Sequence, residues 1–301
     1  AKIPDDKPAT GGFNDLVDEI DKQMMDDFDA YAEGKQKSDD ARFNEMIKLY
    51  KIAKKFDFRK KVGPKALKRV LSSVEELKSY DDYQGQWRNW VMYGLPSPVT
   101  FDIDADMKNA TVYALFASSP SLILPDKSYY TPEKQQEYDQ LLKLWTDMVT
   151  TLMDKLGYDK DNAAQIIQHA KDFDALLAPN VKSAEEAADY SKMYNPQTVA
   201  ELAGATDQLD LASVIKRLVG TIPEKVIVTE PDYFKALDGI LKDHFELFKD
   251  WATVNIIRDY ASYLDDEMRE INGRYGRALS GSKKPVSQRK FAYYLARDVF
   301  S

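Results

Sequence analysis

The feature that most constrains the fold is residues 240–272, a stretch of thirty-three residues without Pro or Gly that lies between Gly239 and Gly273. Its apolar residues recur at helical spacing along two adjacent lines, which is typical of a helix buried on more than one side. At about 1.5 Å per residue, one helix over this stretch would be roughly 50 Å long. Because a compact chain of 301 residues has a similar diameter, we expect this helix to form the spine of the fold.

Apolar residues at steps of three and four elsewhere predict several further amphipathic helices, the first of which carries Phe13. Between residues 99 and 117, alternating β-branched and aromatic residues flank a polar turn at 106–109, which predicts a small β-hairpin. The predicted fold class is therefore mainly α, with a large multi-helix lobe around the spine helix and the hairpin near 99–117. No Gly/Ser linker divides the chain, which favours one lobe over two independent domains.

Composition excludes several classes of function. The formal net charge is -8, so we expect no nucleic-acid partner and no anionic membrane surface, since both require clustered Lys and Arg. The chain has no Cys, which rules out disulfides and thiolate chemistry. Its uninterrupted apolar runs are shorter than the roughly 18 residues that indicate a membrane-spanning helix.

The sequence offers few residues for a catalytic or metal site. A zinc hydrolase helix would carry H-E-x-x-H, because two His one turn apart bind the metal and the Glu activates water. Here His169 is followed by Ala170 and His244 by Phe245, so we predict no metal ligands, and structural or exposed roles for both histidines. Phosphate-binding glycine motifs and the G-x-S-x-G nucleophile elbow are also missing from the sequence. This composition disfavours an autonomous metal-dependent enzyme.

The last predicted helix carries Phe291, Tyr294, Leu295 and Phe300 and runs to Ser301. Its aromatic side has no evident partner within the chain, so we expect a further segment or another protein to cover it. Since the sequence also opens without Met, we interpret the chain as part of a longer protein.

Four stretches along the chain carry a family pattern: "IPDDKPATGGFNDLVDE" at residues 3–19, "DMKN" at 106–109 followed by "LILPDKSYY" at 122–130, "YNPQTVAEL" at 194–202 and "SQRKFAYYL" at 287–295. In this order they resemble the N-terminal region of the neprilysin family of zinc metalloendopeptidases. Each stretch alone is a weak signal. Together they span nearly the whole chain and form a fairly specific pattern.

The resemblance implies a mostly helical lobe that faces a separate catalytic lobe across an enclosed cavity. Such a cavity admits short peptides and excludes folded proteins. The family's zinc ligands and catalytic Glu lie in a later segment, so residues 1–301 are expected to form the substrate-confining region, without the catalytic zinc domain. The implied cofactor is zinc in the parent enzyme and none in this chain, and the implied partners are the C-terminal catalytic domain and short peptide substrates.

The resemblance also places part of a substrate site near the start of the chain. In neprilysin the Phe of G-x-F lines the pocket for the residue after the scissile bond, and Phe13 stands at that position. The next residue is Asn14, where neprilysin has Asp, and two Arg that hold the substrate's C-terminal end are replaced by Ala9 and Val17. Without guanidinium groups no bidentate carboxylate clamp can form. The alternative for Phe13 is that it is the first core residue of its helix.

A second hypothesis remains open at this point. The chain could be a non-enzymatic helical interaction module that docks on another protein through its final helix. The lack of Cys is typical of a bacterial cytoplasmic protein rather than of a disulfide-bonded ectodomain, with export as the alternative.

Overall fold

The structure, a computed structural model, describes residues 3–7 and 9–300. Over these residues the chain forms sixteen α-helices and four short β-strands, so the predicted mainly α fold is confirmed. In chain order the helices are α1 (Phe13–Ala32), α2 (Ala41–Ala53), α3 (Phe56–Val62), α4 (Lys65–Glu75), α5 (Tyr80–Met92), α6 (Gln135–Leu156), α7 (Lys160–Leu177), α8 (Ala184–Ala187), α9 (Tyr190–Met193), α10 (Val199–Ala203), α11 (Leu211–Val219), α12 (Pro231–Leu241), α13 (Phe245–Leu264), α14 (Asp266–Asn272), α15 (Arg274–Ser280) and α16 (Gln288–Phe300). None of these described helices is both long and apolar enough to cross a membrane.

The four strands form one small sheet. They are β1 (Thr100–Asp106), β2 (Asn109–Ser118), β3 (Pro196–Gln197) and β4 (Val226–Val228), in the order β1-β2-β4-β3. The predicted hairpin is confirmed: β1 and β2 pair antiparallel, with Ile103 opposite Leu115. Strand β4 pairs parallel with β2 and antiparallel with β3, and all three of its residues are fully buried, as expected for an internal strand.

The prediction of a single spine helix over residues 240–272 is wrong, because two breaks divide this stretch among α12, α13 and α14. Helix α12 ends at Leu241, and Asp243 adopts a left-handed conformation with φ 63°. Asp enters this region more readily than most residues, since its short polar side chain can bond the nearby backbone. At the second break, the carboxylate of Asp265 accepts a hydrogen bond from the Met268 N–H at 2.8 Å and caps α14. The longest piece, α13, has 20 residues and is about 30 Å long.

The chain divides into two compact units. Unit 1 comprises Ala1–Ala66 and Tyr260–Ser301, and unit 2 comprises Leu67–Asp259. One boundary falls inside α4 and the other inside α13. The lack of a linker in the sequence is therefore uninformative about this division, because neither boundary is a loop.

Unit 1 packs α1, α2 and α16 around the fully buried Phe28. The Phe28 ring meets Tyr50 at 5.3 Å and Tyr293 at 5.2 Å, both edge to face, the geometry that aromatic pairs favour. Ala292 and Ala296 of α16 are fully buried as well. On the predicted aromatic side, Phe291 lies 6.2 Å from the Phe56 ring and Tyr294 packs against the core of unit 1, and both are half-buried. The expectation that this side lacks a partner within the chain is therefore wrong.

Unit 2 is organised around Phe248 of α13, which is fully buried. The Tyr83 ring lies 4.9 Å from Phe248 and 4.8 Å from Trp90. On the other side, Phe173 lies 5.9 Å from Phe248 and 5.3 Å from Trp251. Helices α5, α7 and α13 thus meet in one aromatic core, and α13 supplies its centre.

Candidate functional site

The residues singled out from the sequence, Phe13 and Asn14, begin helix α1. They follow Gly11 and Gly12, whose φ angles of 102° and 52° are strained for any residue with a Cβ atom. Gly12 provides no side-chain cap, and Asp15 instead accepts a hydrogen bond from the Gly11 N–H at 3.1 Å. The two glycines therefore fix where the helix begins and place Phe13 in its first turn.

Phe13 heads an exposed apolar surface of α1, which we call the α1 apolar face. Its members follow one another at steps of three and four residues: Phe13, Leu16, Val17, Ile20 and Met24. Phe13 is 78% exposed, and the other four are between 37% and 51% exposed. The interpretation of Phe13 as the first core residue of its helix is therefore wrong. Contiguous exposed apolar side chains mark binding surfaces, which makes this face the candidate site of unit 1.

Acidic side chains hold another side of α1 against α16. Asp21 is buried, accepts a hydrogen bond from the Tyr294 hydroxyl at 2.5 Å and lies 3.1 Å from the Lys290 ammonium. Asp18 forms ion pairs with Lys7 and, at 3.3 Å, with Lys290. These ammonium groups, Lys7 foremost, hold the pKa of Asp18 below its usual range. The first half of α1 thus packs charged residues against α16 and exposes apolar ones, whereas its second half buries Phe28 in the core of unit 1.

Two positions near the start of α1 determine whether a substrate carboxylate could be clamped. Where the resemblance to neprilysin calls for two Arg, the chain has Ala9, which is exposed, and Val17 of the α1 apolar face. The nearby Lys7 is already paired with Asp18. The surface around Phe13 therefore suits apolar side chains better than carboxylates, which need guanidinium or ammonium donors.

Two of the stretches that resemble the neprilysin family meet at one buried carboxylate in unit 2. Asp106, the last residue of β1, is buried. Its Oδ2 atom lies 2.6 Å from the Lys225 ammonium and accepts a hydrogen bond from the Tyr194 hydroxyl at 3.3 Å. The hydrogen bond from Lys225 lowers the pKa of Asp106. Asp106 and Tyr194 therefore tie the hairpin to the segment that carries β3, which is a structural role.

A third such stretch surrounds a buried acid that the sequence analysis missed. Asp174 of α7 is fully buried and accepts hydrogen bonds from the Ile123 N–H at 2.8 Å and from the Tyr130 hydroxyl. Burial raises the pKa of Asp174 to about 6. Both partners lie more than forty residues away along the chain, so local spacing does not reveal them. The one available signal was that Asp174 lies a single turn after the buried Ala170.

The described residues offer no metal centre. In the part of the chain that the structure describes, no group of three or more His, Asp or Glu side chains could hold a metal ion. His169 Nδ1 lies 2.6 Å from Asp250 Oδ2, and His244 Nδ1 lies 3.1 Å from the carbonyl oxygen of Ile240. Each histidine thus has a protein partner, and we derive no zinc chemistry from these side chains.

Sequence comparison identifies the family to which the chain belongs. Residues 1–301 match the N-terminal sequence model of peptidase family M13. The neutral endopeptidase of Lactococcus lactis subsp. cremoris is 33% identical over 303 residues, which cover 100% of this chain and 48% of that protein. The neutral endopeptidase of Lactobacillus helveticus is 34% identical over 302 residues, which cover 100% of this chain and 46% of that protein. The chain spans about half the length of the curated relatives it matches.

Two solved structures have the same fold. The crystal structure of PepO from Lactobacillus rhamnosis HN001 matches with a TM-score of 0.90 at 24% identity, over 99% of this chain and 47% of that one. The zinc metalloprotease ZMP1 of Mycobacterium tuberculosis, in complex with an inhibitor, matches with a TM-score of 0.87 at 21% identity, over 99% of this chain and 46% of that one. With the match along all 301 residues, the chain belongs to peptidase family M13, the neprilysin family, and represents its N-terminal domain.

Proposed function

We propose that this chain is the N-terminal lobe of a zinc metalloendopeptidase that hydrolyses short peptides. The lobe walls the substrate cavity and limits the size of the substrate, whereas zinc and catalysis belong to a C-terminal domain outside residues 1–301. The neutral endopeptidases of Lactococcus lactis and Lactobacillus helveticus, which are similar to this chain, support the assignment. The structural observation that carries it is the α1 apolar face, which begins at Phe13.

The α1 apolar face is suited to being covered by a second protein surface. Apolar area left in water costs about 25 cal/mol per Å² relative to burial, so a covering surface would stabilise the helix. The ion pairs of Asp18 and Asp21 with Lys290 fix the rotation of α1, so the helix cannot turn to bury this face on unit 1 without breaking them. The catalytic domain of the parent enzyme is the proposed partner for most of this face.

At the start of the face, Phe13 is proposed to line the pocket for the residue after the scissile bond, with Asn14 beside it. The Phe13 ring is exposed on a helix end fixed by two glycines, so it offers an apolar wall that needs little rearrangement on binding. Ala9 and Val17 provide no charged donors. We therefore expect no strong preference for peptides with a free C-terminal carboxylate.

The structure removes the basis of the alternative, a non-enzymatic helical module that docks through its last helix. Helix α16 packs on α1 and α2, and Ala292, Tyr293 and Ala296 are buried there. A contiguous exposed apolar surface lies on α1 instead, where the family resemblance implies a substrate site.

The test joins this chain to the catalytic half of its parent protein and measures kcat/KM for short fluorogenic peptides. With a large apolar residue after the scissile bond, Phe13→Ala is expected to lower kcat/KM about tenfold or more, since a lost apolar contact in a pocket is worth about 1–3 kcal/mol. The loss should be smaller for peptides with Ala at that position. A chelator should abolish hydrolysis by removing zinc from the parent enzyme.

Phe58→Ala is the matched control, because Phe58 of α3 is also an exposed phenylalanine, at 61%, and lies outside the α1 apolar face. It is expected to leave kcat/KM unchanged. Equal losses in the two variants would contradict the proposed role of Phe13. Hydrolysis by the isolated 301-residue chain at the rate of the joined protein would contradict the division of labour between the two halves.

A bacterial cytoplasmic location stays a prediction. It rests on the absence of Cys and on the bacterial origin of the relatives described above. Fractionation of cells that express the parent protein from its own gene would test it, with export as the contradicting result.

A further inference from the structure

Unit 2 contains a cavity between α5, α11, α13 and the loop that joins α5 to β1. Its volume is about 360 Å³, within the range of small-molecule sites in proteins. Most of its wall is apolar or aromatic, including Trp87, Leu95, Val99, Phe101, Leu218 and Trp251. Trp87 and Trp251 are 1% and 4% exposed, so the core of unit 2 holds both indole rings in place.

One side of the cavity presents oxygen acceptors. Helix α13 places Trp251, Asn255 and Asp259 along it, and these residues share one helical face because they are four apart. The Asn255 amide group donates to the Trp251 carbonyl oxygen at 3.0 Å, which leaves the side-chain oxygen of Asn255 as an acceptor. The Asp259 carboxylate adds a negative charge beside the aromatic wall.

The Asp259 carboxylate lacks a hydrogen-bond or salt-bridge partner among the residues that the structure describes. Asp259 lines the cavity and is exposed, so a ligand in the cavity can reach its carboxylate. Partial desolvation raises its pKa, and the charge of the adjacent Arg258 offsets only part of that shift. A cation that reaches this carboxylate can donate a charge-assisted hydrogen bond to it. The net charge of the chain, -8, also favours the approach of cations.

We propose that this cavity binds a single positive charge carried on an apolar stem, such as the arginine side chain of a short peptide or a free aromatic amidine. The stem would pack on the apolar wall, and the N–H groups of the cation would reach Asp259 and Asn255. A guanidinium or amidinium group donates two parallel hydrogen bonds to a carboxylate. Only unit 2 residues line this cavity, so the inference is independent of the proposed role of Phe13.

The test is isothermal titration calorimetry on the 301-residue chain with pairs of ligands that differ only in charge. N-acetyl-Phe-Arg-amide is compared with its citrulline counterpart, and benzamidine with benzamide. The cationic member of at least one pair is expected to bind about tenfold or more tightly than its neutral twin, in line with a charged hydrogen bond at a partly exposed site. A difference within the peptide pair indicates that the cavity accepts an arginine side chain, and a difference within the benzamidine pair indicates that it accepts a free amidine.

Asp259→Asn keeps the shape of the side chain and removes its charge, so it is expected to erase the preference for the cationic ligands. Asp154→Asn is the matched control, because Asp154 of α6 is exposed, lies outside the cavity and changes the net charge equally. That variant should keep the preference. Val91→Trp, which enlarges a side chain of the cavity wall, should weaken the binding of cationic and neutral ligands alike.

Equal affinity for the charged and neutral members of both pairs would overturn the proposal, and so would an undiminished preference in Asp259→Asn. Absence of binding by every ligand up to millimolar concentration would also overturn it. Circular dichroism of each variant shows whether it is folded, so that a loss of binding is not mistaken for a loss of structure.

Discussion

Unit 2 buries Phe248 at the centre of its core, whereas unit 1 leaves Phe13 at the surface. Phe248 lies fully buried among rings from three helices, and Phe13 is 78% exposed on a helix with similar apolar spacing. In unit 2 the apolar sides of α5, α7 and α13 converge on one centre. In unit 1 the side of α1 that packs against α16 carries Asp18 and Asp21 in its first half and Phe28 only in its second half. Apolar spacing thus reports that a helix has an apolar side, and it does not report what covers that side.

If unit 2 is held by this aromatic centre, Phe248→Ala should have the largest effect on stability. We expect the free energy of unfolding of unit 2 to fall by about 3–5 kcal/mol, because the variant loses buried apolar area and leaves a cavity. Chemical denaturation followed by tryptophan fluorescence would measure this change. Unit 2 contains all four tryptophans of the chain, Trp87, Trp90, Trp145 and Trp251, so the signal reports its unfolding.

The same deletion at an exposed position provides the control. Phe58→Ala in unit 1, followed by far-ultraviolet circular dichroism because the tryptophans report unit 2, should change stability by no more than about 0.5 kcal/mol, since Phe58 is 61% exposed. A cost for Phe248→Ala as small as that for Phe58→Ala would contradict the contrast between buried and exposed rings.

The buried acid of unit 2 predicts an effect of pH on its stability. Burial raises the pKa of Asp174 from 3.8 to about 6, so the folded state binds a proton more tightly than the unfolded state. The contribution to stability is therefore fully present below about pH 4 and is lost as the pH rises through about 6. A shift of this size corresponds to about 3 kcal/mol. Denaturation is measured over this pH range for the unmodified protein and for Asp174→Asn. The free energy of unfolding should fall with rising pH in the unmodified protein, and Asp174→Asn should lack this dependence.

Asn at position 174 can still accept the Ile123 N–H through its side-chain oxygen, so this variant should fold. Asp161→Asn is the control, because Asp161 of α7 is exposed and should leave the pH slope of stability intact. A slope that persists in Asp174→Asn would show that another group titrates in this range.

The sequence was sufficient for the mainly α class and for the hairpin because both follow from local periodicity. It failed at the spine, since apolar spacing continues across short polar turns and Asp243 and Asp265 look like ordinary helical residues until their backbone conformations are known. It also failed at α16, whose cover comes from α1 and α2. The two failures have different causes: the breaks in the spine are local backbone conformations that apolar spacing does not reveal, whereas the cover of α16 comes from residues far away in the chain.

The candidate sites were also predicted only in part. Phe13 was found through the family resemblance, but its exposure depends on the packing of α1 against α16 and could not be read from spacing. The cavity of unit 2 was not predicted, because Trp87, Phe101, Leu218 and Asp259 come from four separate stretches and form no motif. Asp106 and Tyr194 belong to the family pattern, yet the structure gives them a role in holding the sheet together.

A smaller effect is expected at another residue of the family pattern. Thr198 caps α10: its hydroxyl accepts the Glu201 N–H at 3.2 Å, and the Glu201 carboxylate accepts the Thr198 N–H at 2.7 Å. Thr198→Ala should lower the stability of unit 2 by about 1 kcal/mol, measured by tryptophan fluorescence. Thr198→Ser keeps the hydroxyl and should cost little. Equal costs for the two variants would indicate that Thr198 acts through its methyl group rather than as a cap.

The smallest effect is expected on the α1 apolar face, and it tests the contrast between the two units most directly. Ile20 is 50% exposed, so Ile20→Ala should change the stability of this chain by no more than about 0.5 kcal/mol. Ile47 of α2, in the same unit, is 6% exposed, and Ile47→Ala should cost about 2–5 kcal/mol. Denaturation followed by far-ultraviolet circular dichroism compares the two. A large cost at Ile20 in the isolated chain would mean that unit 1 already covers this face, whereas a large cost only in the joined protein would identify the catalytic domain as its cover.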